Sequence, residues 1–246
     1  MKYVKYIDEL NHNNLINYII DNDIDNVKVI LKTGINLNIK FPYKDDLDHP
    51  NNMLSFKRHD NNITFLMLAA QFDFISIVKE LLKYNIDLEI EDDFGSTVLN
   101  RTTHKCSNLY DPMIEKTLGS FNLFKLLIKA GAKINVQDGE KNTPLYNAAD
   151  YNQLNMIKEL IINGADLNIK NEQGNTALLK VAYDYQLYDY KSKTRLDIIR
   201  ELIKAGADLT IKNNEGETFF DFLNKKNKNL IISEFPKECE NYFKQK

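Results

Sequence analysis

The residues with the most suggestive chemistry lie near the middle of the chain. His104 stands two places before Cys106, with Thr102 and Thr103 just ahead of it. An imidazole beside a thiol is the pairing that generates a thiolate nucleophile, but the imidazole must itself be oriented by a further group, and the sequence identifies none. Two acidic runs, Glu89, Glu91, Asp92, Asp93 and Asp45, Asp46, Asp48, offer oxygens to a cation. Neither has the ligand spacing or the central Gly of a calcium loop, so both read as solvated tips. The two cysteines, Cys106 and Cys239, are far apart and have no His or Cys at metal-ligand spacing. That argues against a disulfide framework and against a zinc site. The expectation is a chain with no catalytic residues, no metal and no cofactor.

The elements that would position these residues are set by repetition. Four segments end alike, KTGINLNIK at 32–40, KAGAKINVQ at 129–137, INGADLNIK at 162–170 and KAGADLTIK at 204–212, and KYNIDLEIE at 83–91 is a fifth, weaker copy. Upstream of most copies a Thr-x-Leu signal opens a helical pattern, at Thr64, Thr97, Thr143 and Thr176, with the variant Thr218-Phe219-Phe220 last. These threonines lie 33, 46, 33 and 42 residues apart. A recurring 33-residue period is a sequence signature of one repeat architecture, and the longer intervals mark insertions.

Each part of the unit has a physical reason. Thr caps the free N–H groups of a first helix, and Pro144 suits the first helical turn because it has no N–H to leave unpaired. Ala69-Ala70 and Ala148-Ala149 allow close approach of neighbouring first helices. Apolar residues at helical spacing, such as Ile75, Ile77, Val78, Leu81 and Leu82, or Leu154, Met156, Ile157, Leu160 and Ile161, predict the buried stripe of each second helix. Gly34, Gly131, Gly164 and Gly206 follow the second helices, where a left-handed residue is expected, and Asn85 takes that place in the weaker copy. Gly95, Gly174 and Gly216 occupy the turn before the next Thr, whereas Lys141 and Asn62 stand there in two copies.

These residues resemble the ankyrin-repeat family, whose pattern opens a first helix with Thr-Pro-Leu-His-x-Ala-Ala and closes the second with Gly-Ala-Asp-x-Asn. The copy NTPLYNAADYNQLNMIKELIINGADLNIKNEQG at 142–174 carries the resemblance best, and it extends over about 13–234. The Asn- and Ile-rich composition and phrases such as DNVKVILKTGINLNIK are most similar to the ankyrin proteins of mimivirus-like giant viruses. The resemblance implies an all-α ankyrin-repeat solenoid of about six stacked helix-turn-helix units with β-hairpin fingers. A single domain is expected over 1–246, with repeats at about 13–40, 62–92, 95–138, 141–171 and 174–213 and a degenerate C-terminal cap at 216–246.

The copies depart from the pattern at defined places. Asn13-Asn14-Leu15 replaces Thr-Pro-Leu, which suits a terminal cap, and the last copy dissolves after Thr218 with Pro236 expected to break any helix. Insertions are expected near 41–58, where the hairpin finger lengthens, and near 106–118 and 185–193, between the two helices of a repeat. Insertions in such units map to loops, often on a binding face.

In the family, partners contact the finger tips and the exposed end of each first helix. Carried over, the tips are Asp93 and Phe94, Gly139 and Glu140, Glu172 and Gln173, and Asn214 and Glu215. The helix ends are Gln71 and Phe72, His104 and Lys105, Asp150 and Tyr151, and Tyr183 and Asp184. The resemblance thus implies a partner-binding set of Phe72, Phe94, His104, Lys105, Asp150, Tyr151, Tyr183 and Asp184, aromatic rings interleaved with carboxylates. The alternative is that the insertions fold over the rings and bury them within the chain.

Composition narrows the classes further. With 32 basic and 35 acidic residues the formal charge is −3, far from the basic excess that phosphate-backbone binding requires, so no nucleic-acid partner is expected. The N-terminal MKYVKYIDELNHNNLINYII is interrupted by Asp8, Glu9 and several Asn, unlike a secretory signal, and no span is apolar enough to cross a membrane. An intracellular, cytoplasmic, monomeric protein is expected, in the host cytoplasm if viral. Asn62-Ile63-Thr64 and Asn100-Arg101-Thr102 match the glycosylation pattern but would not be used there. The leading expectation is a non-catalytic scaffold that binds a protein partner through a concave face. The alternative is a ubiquitin-ligase substrate adaptor in which the C-terminal segment recruits the ligase, since LIISEFPKECENYF at 230–243 is faintly similar to a truncated F-box.

Overall fold

The computed structural model describes residues 2–43, 61–103, 121–187 and 193–244. The chain divides into two compact units, Met1–Lys133 and Ile134–Lys246.

The first unit contains α1 (Lys2–Ile20), α2 (Ile24–Leu31), β1 (Phe41–Tyr43), β2 (Asn61–Ile63), α3 (Phe65–Gln71), α4 (Ile75–Leu81), α5 (Val98–Thr103) and α6 (Phe121–Lys129). First helices pack on first helices, α1 on α3 and α3 on α5, and second helices on second helices, α2 on α4. Helices of seven residues are too short to persist alone, so they depend on this packing. In α3 every residue from Phe65 to Ala70 is buried, and the two alanines leave room for helices on both sides. β1 and β2 form an antiparallel ladder with Phe41 opposite Ile63; the rest of the first insertion lies outside the described residues.

The second unit contains α7 (Pro144–Asp150), α8 (Leu154–Ile162), α9 (Ala177–Leu187), α10 (Lys193–Lys204), a 3₁₀ turn at Phe219–Phe222, α11 (Lys225–Glu234) and α12 (Pro236–Lys244). α7 packs on α9, α9 on the 3₁₀ turn, and α8 on α10.

Both turns of the repeat follow from backbone chemistry. After the first helices, Asn22, Asp73 and Asn152 are left-handed, with φ of 55°, 56° and 57°. The amide of the next residue reaches back into the helix, as Gln153 N does to Ala148 O at 2.8 Å, which closes the helix end in a Schellman motif. Asp23, Phe74 and Gln153 then adopt φ near −80° and ψ near +70°, the inverse γ conformation that reverses the chain into the second helix. After the second helices Gly34, Gly131, Gly164 and Gly206 take the left-handed place.

Four expectations are corrected. The first helix of the first repeat begins at Lys2 rather than near residue 13. Asn85 is not left-handed; the Ile86 amide donates to Tyr84 O at 2.8 Å, so the turn closes around Asn85 without positive φ. Pro236 ends α11 but also starts α12, because the first helical position needs no N–H. The insertion expected at 185–193 begins as helix, α9 running on to Leu187 with Tyr185 buried.

Candidate functional site

An Asp or Asn five residues ahead of Thr97, Thr143, Thr176 and Thr218 builds the finger. Asp92, Asp138, Asn171 and Asn213 each accept backbone N–H groups from two and four residues on, as Asn171 Oδ1 does from Gln173 and Asn175, both at 3.0 Å. Thr64, Thr143 and Thr176 then cap their helices by accepting from Met67, Tyr146 and Leu179 N–H. Turn and cap together fix where the residues seven and eight places after Thr emerge.

In the first unit Gln71 ends α3 and Phe72 is its C-cap. Phe72 is half-buried and stacks on Phe74 with ring centroids 5.4 Å apart. Gln71 accepts from the Arg101 guanidinium, which also pairs with the buried Asp92. Phe94, at the finger tip, is 56% exposed. His104 and Lys105 lie outside the described residues, as does Cys106.

In the second unit Asp150 ends α7 and Tyr151 is its C-cap, both half-buried. Tyr183 is 44% exposed and packs edge-on against Phe222. Asp184 does not fit the expected exposed helix end: it is 3% exposed. The reason is that α9 continues beyond it, so Asp184 sits inside a helix face rather than at a terminus. Lys180 lies between Asp150 and Asp184, 3.0 and 3.1 Å from their oxygens. Burial alone would lower the Lys180 ammonium, but its bonds to Asp150 and the charge of both carboxylates hold it above its ordinary value. Burial raises the Asp184 carboxyl in spite of Lys180, and raises the nearby Tyr146 hydroxyl to about 12. Asp150, Lys180 and Asp184 thus form an ion cluster that ties α9 to the end of α7.

The fingers of the second unit are bonded to one another. Glu172 N donates to Glu140 O, and Asn214 N to Gln173 O, each at 3.1 Å. The tip residues therefore have a set spacing.

The other groups with chemical potential are committed internally. Hydrogen bonds from Asn62 hold the Asp93 carboxyl low, with Lys40 adding its charge at 3.6 Å. Glu89 accepts from the Lys133 amide. Cys239 is buried, and burial pushes its thiol up, away from the thiolate form. Asn100 is buried, out of reach of glycosylation. Among the described residues no group of three or more metal-ligating side chains gathers, and no helix is long and apolar enough to cross a membrane.

Sequence reasoning missed the Asp and Asn residues five places before Thr and the left-handed Asn22, Asp73 and Asn152. The first set recurs with the spacing of the threonines, which was a usable signal.

Comparison with known proteins agrees with this architecture. A family model described as ankyrin repeats in three copies matches residues 113–213. An ankyrin repeat protein of Acanthamoeba polyphaga mimivirus is 30% identical over 130 residues, 53% of this chain, and the matched stretch spans 21% of that relative's length. A crystal structure of the ankyrin repeat protein EF0377 superposes over 91% of this chain and 96% of its own with a TM-score of 0.66 at 20% identity. Ankyrin repeats thus account for residues 113–213, and the chain has the ankyrin-repeat solenoid fold.

Proposed function

We propose that the chain is a non-catalytic recognition scaffold that binds a protein partner through its finger tips and first-helix ends. Ankyrin repeats generally mediate protein–protein interaction, which makes this the reading to prefer on the fold. The observation that carries it to particular residues is the exposure of two aromatic rings, Phe94 at a finger tip of the first unit and Tyr183 on α9 of the second, where Tyr183 is held edge-on by Phe222. A ring held in place binds with large contact area and little loss of side-chain freedom, the property of interface hot spots. Phe72, Asp150 and Tyr151, at the equivalent positions of their repeats, are half-buried and offer less contact area. His104 and Lys105 belong to the proposed surface by register alone.

The test is affinity capture of the tagged chain from the cells in which it is expressed, beside the double variant Phe94→Ala/Tyr183→Ala. The proposal expects protein partners that the double variant loses. A set of captured proteins identical for both chains would overturn the assignment of these residues.

A further inference from the structure

The end of the second unit carries a groove that the repeat pattern does not explain. Phe220, Ile232, Tyr242 and Phe243 line it, with Lys225 and Lys228, and it encloses about 370 Å³. Its floor is an aromatic cluster: Phe220 to Tyr242, Phe220 to Phe243 and Tyr242 to Phe243 have centroid separations of 4.4, 5.8 and 5.3 Å. Phe220 and Tyr242 are buried, so the floor is fixed, whereas Phe243 is 50% exposed and turns one ring to the solvent.

The rim has one sign of charge. Lys225, Lys226 and Lys228 stand in the first turn of α11, which holds no acidic residue. Cations at the positive end of a helix are unfavourable. Lys225 and Lys228 have no ion-pair partner among the described residues. In a chain of net charge −3, an unpaired basic rim over an apolar floor is a local conflict, and conflicts of this kind concentrate at functional sites.

We infer that this groove binds a peptide segment of a partner protein that presents an aromatic or aliphatic anchor flanked by carboxylates. The anchor covers Phe243 and fills the space above Phe220 and Tyr242. The carboxylates face Lys225 and Lys228 and offset the positive end of α11. This surface shares none of the residues assigned to the finger and helix-end surface, so the two readings fail separately.

The full chain is titrated against a fluorescein-labelled peptide with a central Phe-Leu pair between runs of glutamate, with anisotropy as the readout. Binding is expected at low salt and should weaken as salt screens the rim. Lys225→Glu/Lys228→Glu should weaken it about tenfold or more, and Phe243→Ala by about fivefold. A peptide with Ser-Ser at its centre, or with lysines for glutamates, should not bind. Circular dichroism checks that each variant is folded, and the lysine pair serves if Phe243→Ala is not. No binding, binding unchanged by the groove variants, or equal binding of the Ser-Ser peptide would overturn the inference. So would groove-dependent capture of phosphatidylserine-rich vesicles in place of the peptide, which would make the site a membrane contact.

Discussion

The side-chain carbonyl of Asn168 accepts the backbone N–H of Asp208 at 2.9 Å, although 40 residues separate them. The same bond joins Asn135 to the Asp166 amide, and in the first unit Asn38 to the Asp87 amide and Glu89 to the Lys133 amide. Within each unit this ladder ties one repeat to the next through the residue that closes the second-helix motif.

Asn168→Ala removes one rung and leaves the Asp208 amide without its acceptor. The bond is solvent-exposed, so the loss should be about 1 kcal/mol. Urea denaturation gives that loss, and hydrogen exchange at Asp208 should quicken more than at residues of α7. An unchanged Asp208 amide would show that the rung contributes nothing.

Gly164 and Gly174 have nearly the same backbone, with φ of +82° and +76°, but different surroundings. A Cβ on Gly164 would meet nothing within 4 Å, whereas on Gly174 it would lie 2.8 Å from the Asn214 backbone N, with the Asn214 side chain also in its way. Gly164→Ala should therefore cost about 1 kcal/mol for the left-handed residue alone. Gly174→Ala should cost about 1–3 kcal/mol more, because the Asn214 backbone is bonded to Gln173 and cannot retreat freely. Equal melting temperatures for the two variants would contradict this account.

The repeat was legible because its signals are local. Thr caps, the glycines after second helices and the apolar stripes are written in the residues that perform them, and they appear where the spacing placed them. Positions whose role depends on tertiary context were not legible. Nothing in Tyr185-Gln186-Leu187 marks whether the chain leaves the helix or continues, and the burial of Tyr185 decides for continuation. That continuation in turn buries Asp184, which register alone had placed at an exposed end. Lys141 shows the converse: it holds φ +60° without a glycine because the finger around it is fixed, Gln137 donating to its carbonyl at 2.7 Å.

Lys141→Gly should accordingly raise stability. The turn bonds remain available to Gly, and relief of the left-handed strain, about 1–2 kcal/mol, exceeds the extra freedom Gly gives the unfolded chain, about 0.5–1 kcal/mol. A net gain of about 0.5 kcal/mol, or a rise of one to a few degrees in Tm, is expected. A fall in Tm would mean that the Lys141 side chain contributes more than its backbone strains.

Arg200 donates two hydrogen bonds to Glu234, at 2.8 and 2.7 Å, and so fastens α11 to α10. Arg200 holds the Glu234 carboxyl below its ordinary value of 4.5. A carboxyl lowered in the folded state contributes stability that is fully present above its unfolded pKa. It is lost as pH falls below 4.5 through the lowered folded value. Glu234→Gln should be less stable than the parent at neutral pH by about 1 kcal/mol, a modest figure because both side chains are partly solvated. The difference should shrink as the pH is taken below 4.5, and a constant offset across the acid range would rule out the ion pair as its source.

The exposed rings, and the buried carboxylate that follows Tyr183 in α9, should separate binding from folding. Tyr183→Ala removes one edge-on contact with Phe222, worth about 0.5–1.5 kcal/mol, and Phe94→Ala removes a ring more than half in solvent, so both should leave the melt close to the parent. Each should weaken a captured partner by about 2 kcal/mol if the ring is an anchor. Phe72→Ala should show a mixed effect, since it also loses the stack on Phe74. Asp184→Ala should do the reverse of the exposed pair: it strips a buried partner from Lys180, lowering stability by about 1–3 kcal/mol, and changes affinity little. Measuring melting temperature and partner affinity on these four variants assigns each residue to framework or surface. A large stability loss in Phe94→Ala and Tyr183→Ala would mean that the rings are structural, and would remove them from the proposed interface while leaving the repeat architecture unchanged.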